Sequence, residues 1–345
     1  MKLSDFDYSL DPSLIAQSPV AQRDLCRLLV LCRRTGKIQH RHFYELIEYL
    51  DPGDLLILND TKVFGARLYA RKEGTGGGLE LLLIRPIQDD TWVAMISGSY
   101  RIGQRILFED ESLGEIVGEG EKGQIYVKFH VGGDFSKWLD RIGKTPLPSY
   151  IKRSHTNGQQ EKNDRLAYQT VYATVPGSIA APTAGLHFTQ PLLDQIRAKG
   201  VEVYRVTLHV GPGTFRPVRV SEIKQHTMEA EYVRIPPSTA MAIRRAKESG
   251  KRVVAVGTTT VRALESAALA PDGLNAMSGL TDLFIVPGYQ FKVIDVLITN
   301  FHLPHSTLLM LVSALTGRER LLAAYLEAIQ ERYRFYSFGD AMLIL

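Results

Sequence analysis

The sequence predicts an α/β protein, with a mixed, largely parallel sheet core formed by both chain ends and an antiparallel β-barrel inserted between them. Three observations carry this expectation. Helix–glycine–strand units recur from about residue 168 onward, the pattern of a helix-covered, largely parallel sheet. Short β runs separated by Gly or acidic turns fill residues 65–150. The first 62 residues end in a short apolar strand of their own, Leu55-Leu56-Ile57-Leu58. The expected division is a catalytic core of residues 1–62 and 155–345, an inserted barrel over 63–150, and a linker or mobile loop over 151–165.

In chain order, residues 27–32 read as a strand, Arg34-Thr35-Gly36-Lys37 as a turn, and 43–50 as helix-like. The β runs expected next are 79–84, 92–96, 104–108, 115–117 and 124–129. Their turn signals fall every 8 to 12 residues, the spacing of a small sandwich or barrel, and a barrel leaves no open edge. Gly-Thr-Gly-Gly-Gly at 74–78 lacks a following Lys-Ser/Thr and helix, so it reads as a hairpin connection and not as a phosphate loop. Residues 151–165 are polar and almost free of core residues, hence the linker expectation. Beyond them Thr189 caps a helix, Pro191 fits its first turn, Gly200 ends it, and a strand over 201–210 follows. Ser238 is expected to cap a helix over 239–249 that Gly250 closes, before an apolar strand at 252–256. A strand at 293–298 and a buried helix at 308–315, ended by Gly317, complete the order.

Composition excludes several classes. The 345 residues are 45% hydrophobic and 23% charged, an ordinary globular balance. No run approaches the roughly 18 to 20 apolar residues that span a bilayer. Met1-Lys2-Leu3-Ser4-Asp5-Phe6-Asp7 has no apolar leader segment, so the expected location is cytoplasmic. The net charge of +4 is compatible with RNA without requiring it. The two cysteines, Cys26 and Cys32, share a strand face about 20 Å apart, too far for a disulfide. They are expected to be buried spectator thiols. No metal site is expected, because no CxxC, HExxH or acidic cluster accompanies them.

The chemistry-bearing residues concentrate in four loops at strand ends or helix starts, residues 177–189, 207–215, 256–262 and 299–307. In open α/β sheets ligands bind beyond the carboxyl ends of strands. Within these loops Thr183, Gly185, Gly211, Thr214, Gly257, Thr258, Thr259, Arg262, Asn300 and His302 combine close backbone approach with hydrogen-bonding side chains. Around Gly257 an apolar strand runs into three threonines and a helix beginning near Val261, an arrangement suited to an anion. His209 shares a strand face with Arg205 and Thr207. His187 and His302 sit in loops of similar character, and His226 and Glu231 in a polar stretch. Histidine is the commonest general base near neutral pH.

At these residues the chain resembles the S-adenosylmethionine:tRNA ribosyltransferase-isomerases of queuosine biosynthesis. The resemblance begins at Phe6-Asp7-Tyr8 and Leu14-Ile15-Ala16-Gln17-Ser18-Pro19 and passes through Asn59-Asp60-Thr61-Lys62. It continues through all four loops and Pro287-Gly288-Tyr289 to the segment from Tyr333 to Asp340. Three positions depart from the family's usual pattern: Asp11 stands in place of Pro, Cys26 in place of Ser, and Glu229 in place of a His.

The resemblance implies transfer and isomerisation of the ribosyl part of S-adenosylmethionine onto 7-aminomethyl-7-deazaguanine at the tRNA wobble position. Epoxyqueuosine-tRNA, adenine and methionine would result. S-adenosylmethionine is then a consumed substrate, and no cofactor is expected. The base is expected among His187, His209, His226 and Glu231. The first turn after Gly257 would hold the methionine carboxylate, with Arg262 near it. The tRNA would meet Lys62, Arg67, Arg71 and Lys72 at the barrel entry, and Arg34 with its basic neighbours on the first hairpin. A monomer or weak homodimer is expected. Two rival readings are an S-adenosylmethionine-dependent RNA methyltransferase, which would leave S-adenosylhomocysteine, and a non-enzymatic RNA-binding module built on the barrel.

Overall fold

The computed structural model describes residues 1–88, 90–153, 158–215, 218 and 220–345. Its core is a nine-stranded mixed sheet. From one edge to the other the strands are Met277–Thr281, Glu231–Ile235, Glu202–Leu208, Leu55–Asn59, Val253–Val256, Val296–Asn300, Ala341–Ile344, Arg27–Leu31 and Ile38–His42. The four from Glu202–Leu208 to Val296–Asn300 are mutually parallel, so their carboxyl ends meet on one side. The centre is apolar throughout, as parallel strands covered on both faces must be. Side chains alternate between two cores: Leu55 and Ile57 enter one, Leu56 and Leu58 the other.

Local sequence explains most boundaries. Thr189 accepts the Leu192 amide and Pro191 lies in the first turn of helix Gln190–Ala198. Gly200, with φ +91°, makes the left-handed exit that a side chain would resist. Helix Thr307–Thr316 is capped by Ser306 and ends at Gly317. Two expectations change. Helix Pro237–Glu248 starts at a proline whose fixed φ suits a first turn, so Ser238 lies inside it and caps nothing. The helix-like stretch after His42 is the tighter 3₁₀ form, Phe43–Tyr49.

The barrel closes in the order Gln124–His130, Thr91–Ser97, Gly78–Gln88, Arg67–Lys72, Arg105–Phe108 and Leu113–Glu119. Leu68, Leu81, Ile106 and Phe129 fill its interior. Helix Phe135–Ile142, capped by Asp134, adds Trp138 and Ile142 to the same core. Chain entry and exit run side by side: Arg67 and Lys144 exchange backbone hydrogen bonds of 3.2 and 2.8 Å. Gly65 and Gly143 touch there so closely that a Cβ on Gly143 would lie 2.1 Å from the Gly65 carbonyl oxygen. In the polar 151–165 stretch, Gly158–Ala167 is a helix. Buried Asp164 takes two bonds of 2.8 Å from Arg153, so an ion pair supplies the anchor that apolar residues do not.

Candidate active site

At the carboxyl ends of the parallel strands all four loops converge. A narrow cavity of about 30 Å³ is bordered by Thr183, Val210, Gly257, Thr259, Asn300 and His302. A second, of about 380 Å³, shares Thr183, Asn300 and His302 with it and reaches Tyr150 and Tyr336, within the range of small-molecule sites. Helix Thr258–Ala267 starts directly after Gly257, whose φ of +86° suits glycine. All three threonines therefore stand in its first turn, where backbone N–H groups lack partners inside the helix. Asn59 donates to Thr259 Oγ1 at 3.1 Å and to the Leu208 carbonyl at 3.0 Å, tying this turn to two neighbouring strands.

Beyond Val210 lies the seam between core and barrel. One cavity there, about 890 Å³, is lined by Lys62, Phe64, Arg85, Trp92, Phe135 and His209. Another, about 700 Å³, shares Arg85 and His209 and includes Gly211, Glu229, Glu231 and Tyr232. Trp92 stacks on Phe135 with ring centroids 5.4 Å apart. The His209 ring stacks on Tyr232, and its Nδ1 lies 2.8 Å from Thr61 Oγ1. Burial lowers its pKa, against a smaller upward pull from Asp60, which itself accepts from Thr174 and Thr207.

The family model for "Queuosine biosynthesis protein" matches residues 3–344. The chain belongs to that family. Two relatives named S-adenosylmethionine:tRNA ribosyltransferase-isomerase, from Symbiobacterium thermophilum and Moorella thermoacetica, are each 51% identical to it, with 100% of both chains covered. A crystal structure titled S-adenosylmethionine tRNA ribosyltransferase, from Thermotoga maritima, is 40% identical with a TM-score of 0.57, covering 99% of this chain and 100% of that one.

For this member of the queuosine family the structure sorts the sequence-predicted residues. Thr183, Gly257, Thr258, Thr259, Asn300 and His302 come together around the narrow cavity. Gly185 does not line it; a Cβ there would meet the Tyr172 hydroxyl at 1.9 Å, so its smallness serves packing. Arg262 is also elsewhere. Its buried guanidinium pairs with Glu231 and donates from Nε to the Leu283 carbonyl at 3.1 Å, because a buried cation needs a carboxylate more than a distant ligand. Glu231 Oε1 in turn accepts the Gly211 amide at 2.8 Å, so the ion pair anchors the loop at Gly211. The side chain of Thr214 lies outside the described residues.

Among the histidines, His187 is enclosed, its Nδ1 3.2 Å from Cys26 Sγ and its Nε2 3.0 Å from Asn300 Nδ2. Burial, helped by Arg23 and Arg334, pushes its pKa down to about 3. Cys26 is buried as expected, with its sulfur against the His187 ring, whereas Cys32 is only half-buried. Burial likewise pushes His302 down to about 3. His226 packs edge-on against Phe284 and lines none of these cavities.

Of the expected RNA contacts, Lys62 lines the seam. Arg67 is held by Glu80 and the Leu147 carbonyl, Arg71 by Glu111, and Lys72 by Ser99. Arg34 lies at the opposite end of the sheet, since strand Arg27–Leu31 runs against the parallel set and its neighbour Arg33 bonds the carbonyl of Asp295 just before Val296–Asn300. Arg85, Trp92 and Phe135 were missed, because only barrel closure brings them to the core.

Proposed function

We propose that this chain is an S-adenosylmethionine:tRNA ribosyltransferase-isomerase. It moves and isomerises the ribosyl part of S-adenosylmethionine onto 7-aminomethyl-7-deazaguanine at the tRNA wobble position. Epoxyqueuosine-tRNA, adenine and methionine are the products. S-adenosylmethionine is a consumed substrate. Full-length family membership supports the reading, and one geometric observation carries it: the narrow pocket and the seam share a wall. That wall is Val210, which borders both the narrow cavity and the seam cavity beside Gly211, and the strand end next to it bonds Thr259 through Asn59 and His209 through Thr61.

The pocket suits the methionine end of S-adenosylmethionine, its carboxylate against the first turn after Gly257. The seam suits an unstacked base, with Trp92 and Phe135 as aromatic faces and Lys62 and Arg85 toward phosphate. The sulfonium acidifies the C5′ proton, so a positioned base removes it; the C1′–N9 bond breaks with its electron pair going to adenine, which takes a proton from an acid as it leaves. The aminomethyl amine then attacks the sugar and methionine leaves. Of the four base candidates, His209 fits best. Its ring borders both seam cavities, stays neutral through burial, and is oriented by Thr61. Glu231 is spent on Arg262, and His187 is enclosed.

The decisive assay incubates the protein with S-adenosylmethionine and tRNA carrying the aminomethyl precursor. Adenine and methionine are the expected products. S-adenosylhomocysteine instead, or no adenine from folded protein, would overturn the reading.

A further inference from the structure

Asn300 stands at the carboxyl end of strand Val296–Asn300, 3% exposed and on the border of both pocket cavities. Its amide nitrogen lies 3.1 Å from the Tyr336 carbonyl oxygen. That oxygen can only accept, so the atom facing it is the NH₂ and the amide cannot be flipped. The second amide hydrogen then points at His187 Nε2, 3.0 Å away. Nε2 must therefore be bare. A neutral imidazole with a bare Nε2 carries its proton on Nδ1, and Nδ1 faces Cys26 Sγ at 3.2 Å. The chain of donors runs His187 Nδ1–H to Cys26, then Asn300 Nδ2–H to His187, with the Tyr336 carbonyl fixing its direction.

This leaves Asn300 Oδ1. It is buried and has no hydrogen-bond partner among the described residues, and the same holds for Nδ1 of His302 beside it. A buried polar atom left without a partner is costly, so an amide oxygen and a ring nitrogen unpaired at one cavity mark where a ligand completes the bonding.

We propose that Asn300 Oδ1 accepts a hydrogen bond from the α-ammonium of S-adenosylmethionine, and that Cys26 and His187 are positioning residues that hold the amide in this orientation. The assignment rests on the pocket being the S-adenosylmethionine site. The ammonium is favoured over the ribose hydroxyls and the adenine amine because the narrow cavity that holds Asn300 also holds the first turn at Thr258. A carboxylate on that turn brings the adjacent ammonium to the same cavity.

Three measurements test this. In wild-type protein with ¹⁵N-labelled histidine at neutral pH, His187 should show a protonated Nδ1 and a bare Nε2. An Nε2-protonated ring would overturn the proposal whether or not any variant folds. By calorimetry, Asn300→Ala should weaken S-adenosylmethionine about tenfold or more and weaken L-methionine while leaving adenosine unchanged. Unchanged affinity, or a loss confined to adenosine, would overturn it. Cys26→Val strips the acceptor from Nδ1–H and frees the imidazole, so that the Tyr336 carbonyl alone holds the amide and its position loosens; KM for S-adenosylmethionine should rise, by up to about tenfold, with kcat nearly unchanged. Cys26→Ser, whose hydroxyl accepts the same bond, should restore KM; a merely structural role would shift thermal stability in both variants without this split. Wild-type protein that fails to bind S-adenosylmethionine at all would sink the site reading itself, which separates the two failures.

Discussion

His187 and His302 lose their usual basicity because the fold encloses them, and each falls to about 3. In the unfolded chain a histidine titrates near 6.5. Between those values the unfolded state binds a proton that the folded state refuses, so stability falls as pH drops from about 6.5 toward 3. The slope is at most ~1.4 kcal/mol per pH unit for each group, and the effect is flat above pH 7. Urea midpoints measured at pH 7.5 and 5.5 should differ in that direction, and an unchanged midpoint would contradict the enclosure of both rings. Sequence reasoning found these histidines, since small and polar residues cluster around them, but not their state. Burial of His187 depends on Cys26 and Asn300, 161 and 113 residues away, and no local pattern encodes such partners.

At the scale of single elements, the turn from strand Val253–Val256 into helix Thr258–Ala267 carries the most chemistry per residue. Gly257 holds φ +86° and ψ 150°, a conformation open chiefly to glycine. Gly257→Ala should cost about 1–3 kcal/mol of stability and raise KM for S-adenosylmethionine; thermal melts and steady-state kinetics read the two effects. Thr258→Val removes a hydroxyl from the cavity wall and should raise the same KM while leaving the fold intact, and an unaltered KM would argue against carboxylate binding at this turn. The turn was legible in the sequence because an apolar run, a glycine and three threonines are all local signals. The expected helix start near Val261 was late, since threonine's weak helix propensity is overridden by the packing of all three side chains into buried positions. Helix Gly158–Ala167 was illegible for the opposite reason: one ion pair, Arg153 with Asp164, replaces the apolar stripe by which a helix is normally recognised.

For the molecule as a whole, the seam between barrel and core is the expected RNA surface. Lys62 and Arg85 both line it as exposed residues. Binding of tRNA should weaken steeply with salt, and replacing both by Ala should flatten the slope of log K against log salt by roughly 1 to 2. Filter binding from low to moderate salt measures this, and a slope the double variant leaves unchanged would place the RNA elsewhere. The barrel was legible from its turn spacing and the sheet from its helix–glycine–strand rhythm. The seam was not, because Trp92 and Phe135 meet Lys62 only once six strands have closed.

The contact of Gly65 with Gly143 also bears on how the chain reaches this state. The core sheet must pair Leu55–Asn59 with Val253–Val256, a join that closes a very long loop. The barrel's own pairings are antiparallel and mostly between neighbours in sequence, so they close shorter loops at lower entropic cost. Once the barrel forms, the Arg67–Lys144 bridge delivers the two arms of the core to adjacent points. The 65–143 stretch then behaves, for the core, as a hairpin turn. Folding is expected to proceed barrel first, with amide protection appearing in residues 67–130 before it appears in the central strands of the sheet.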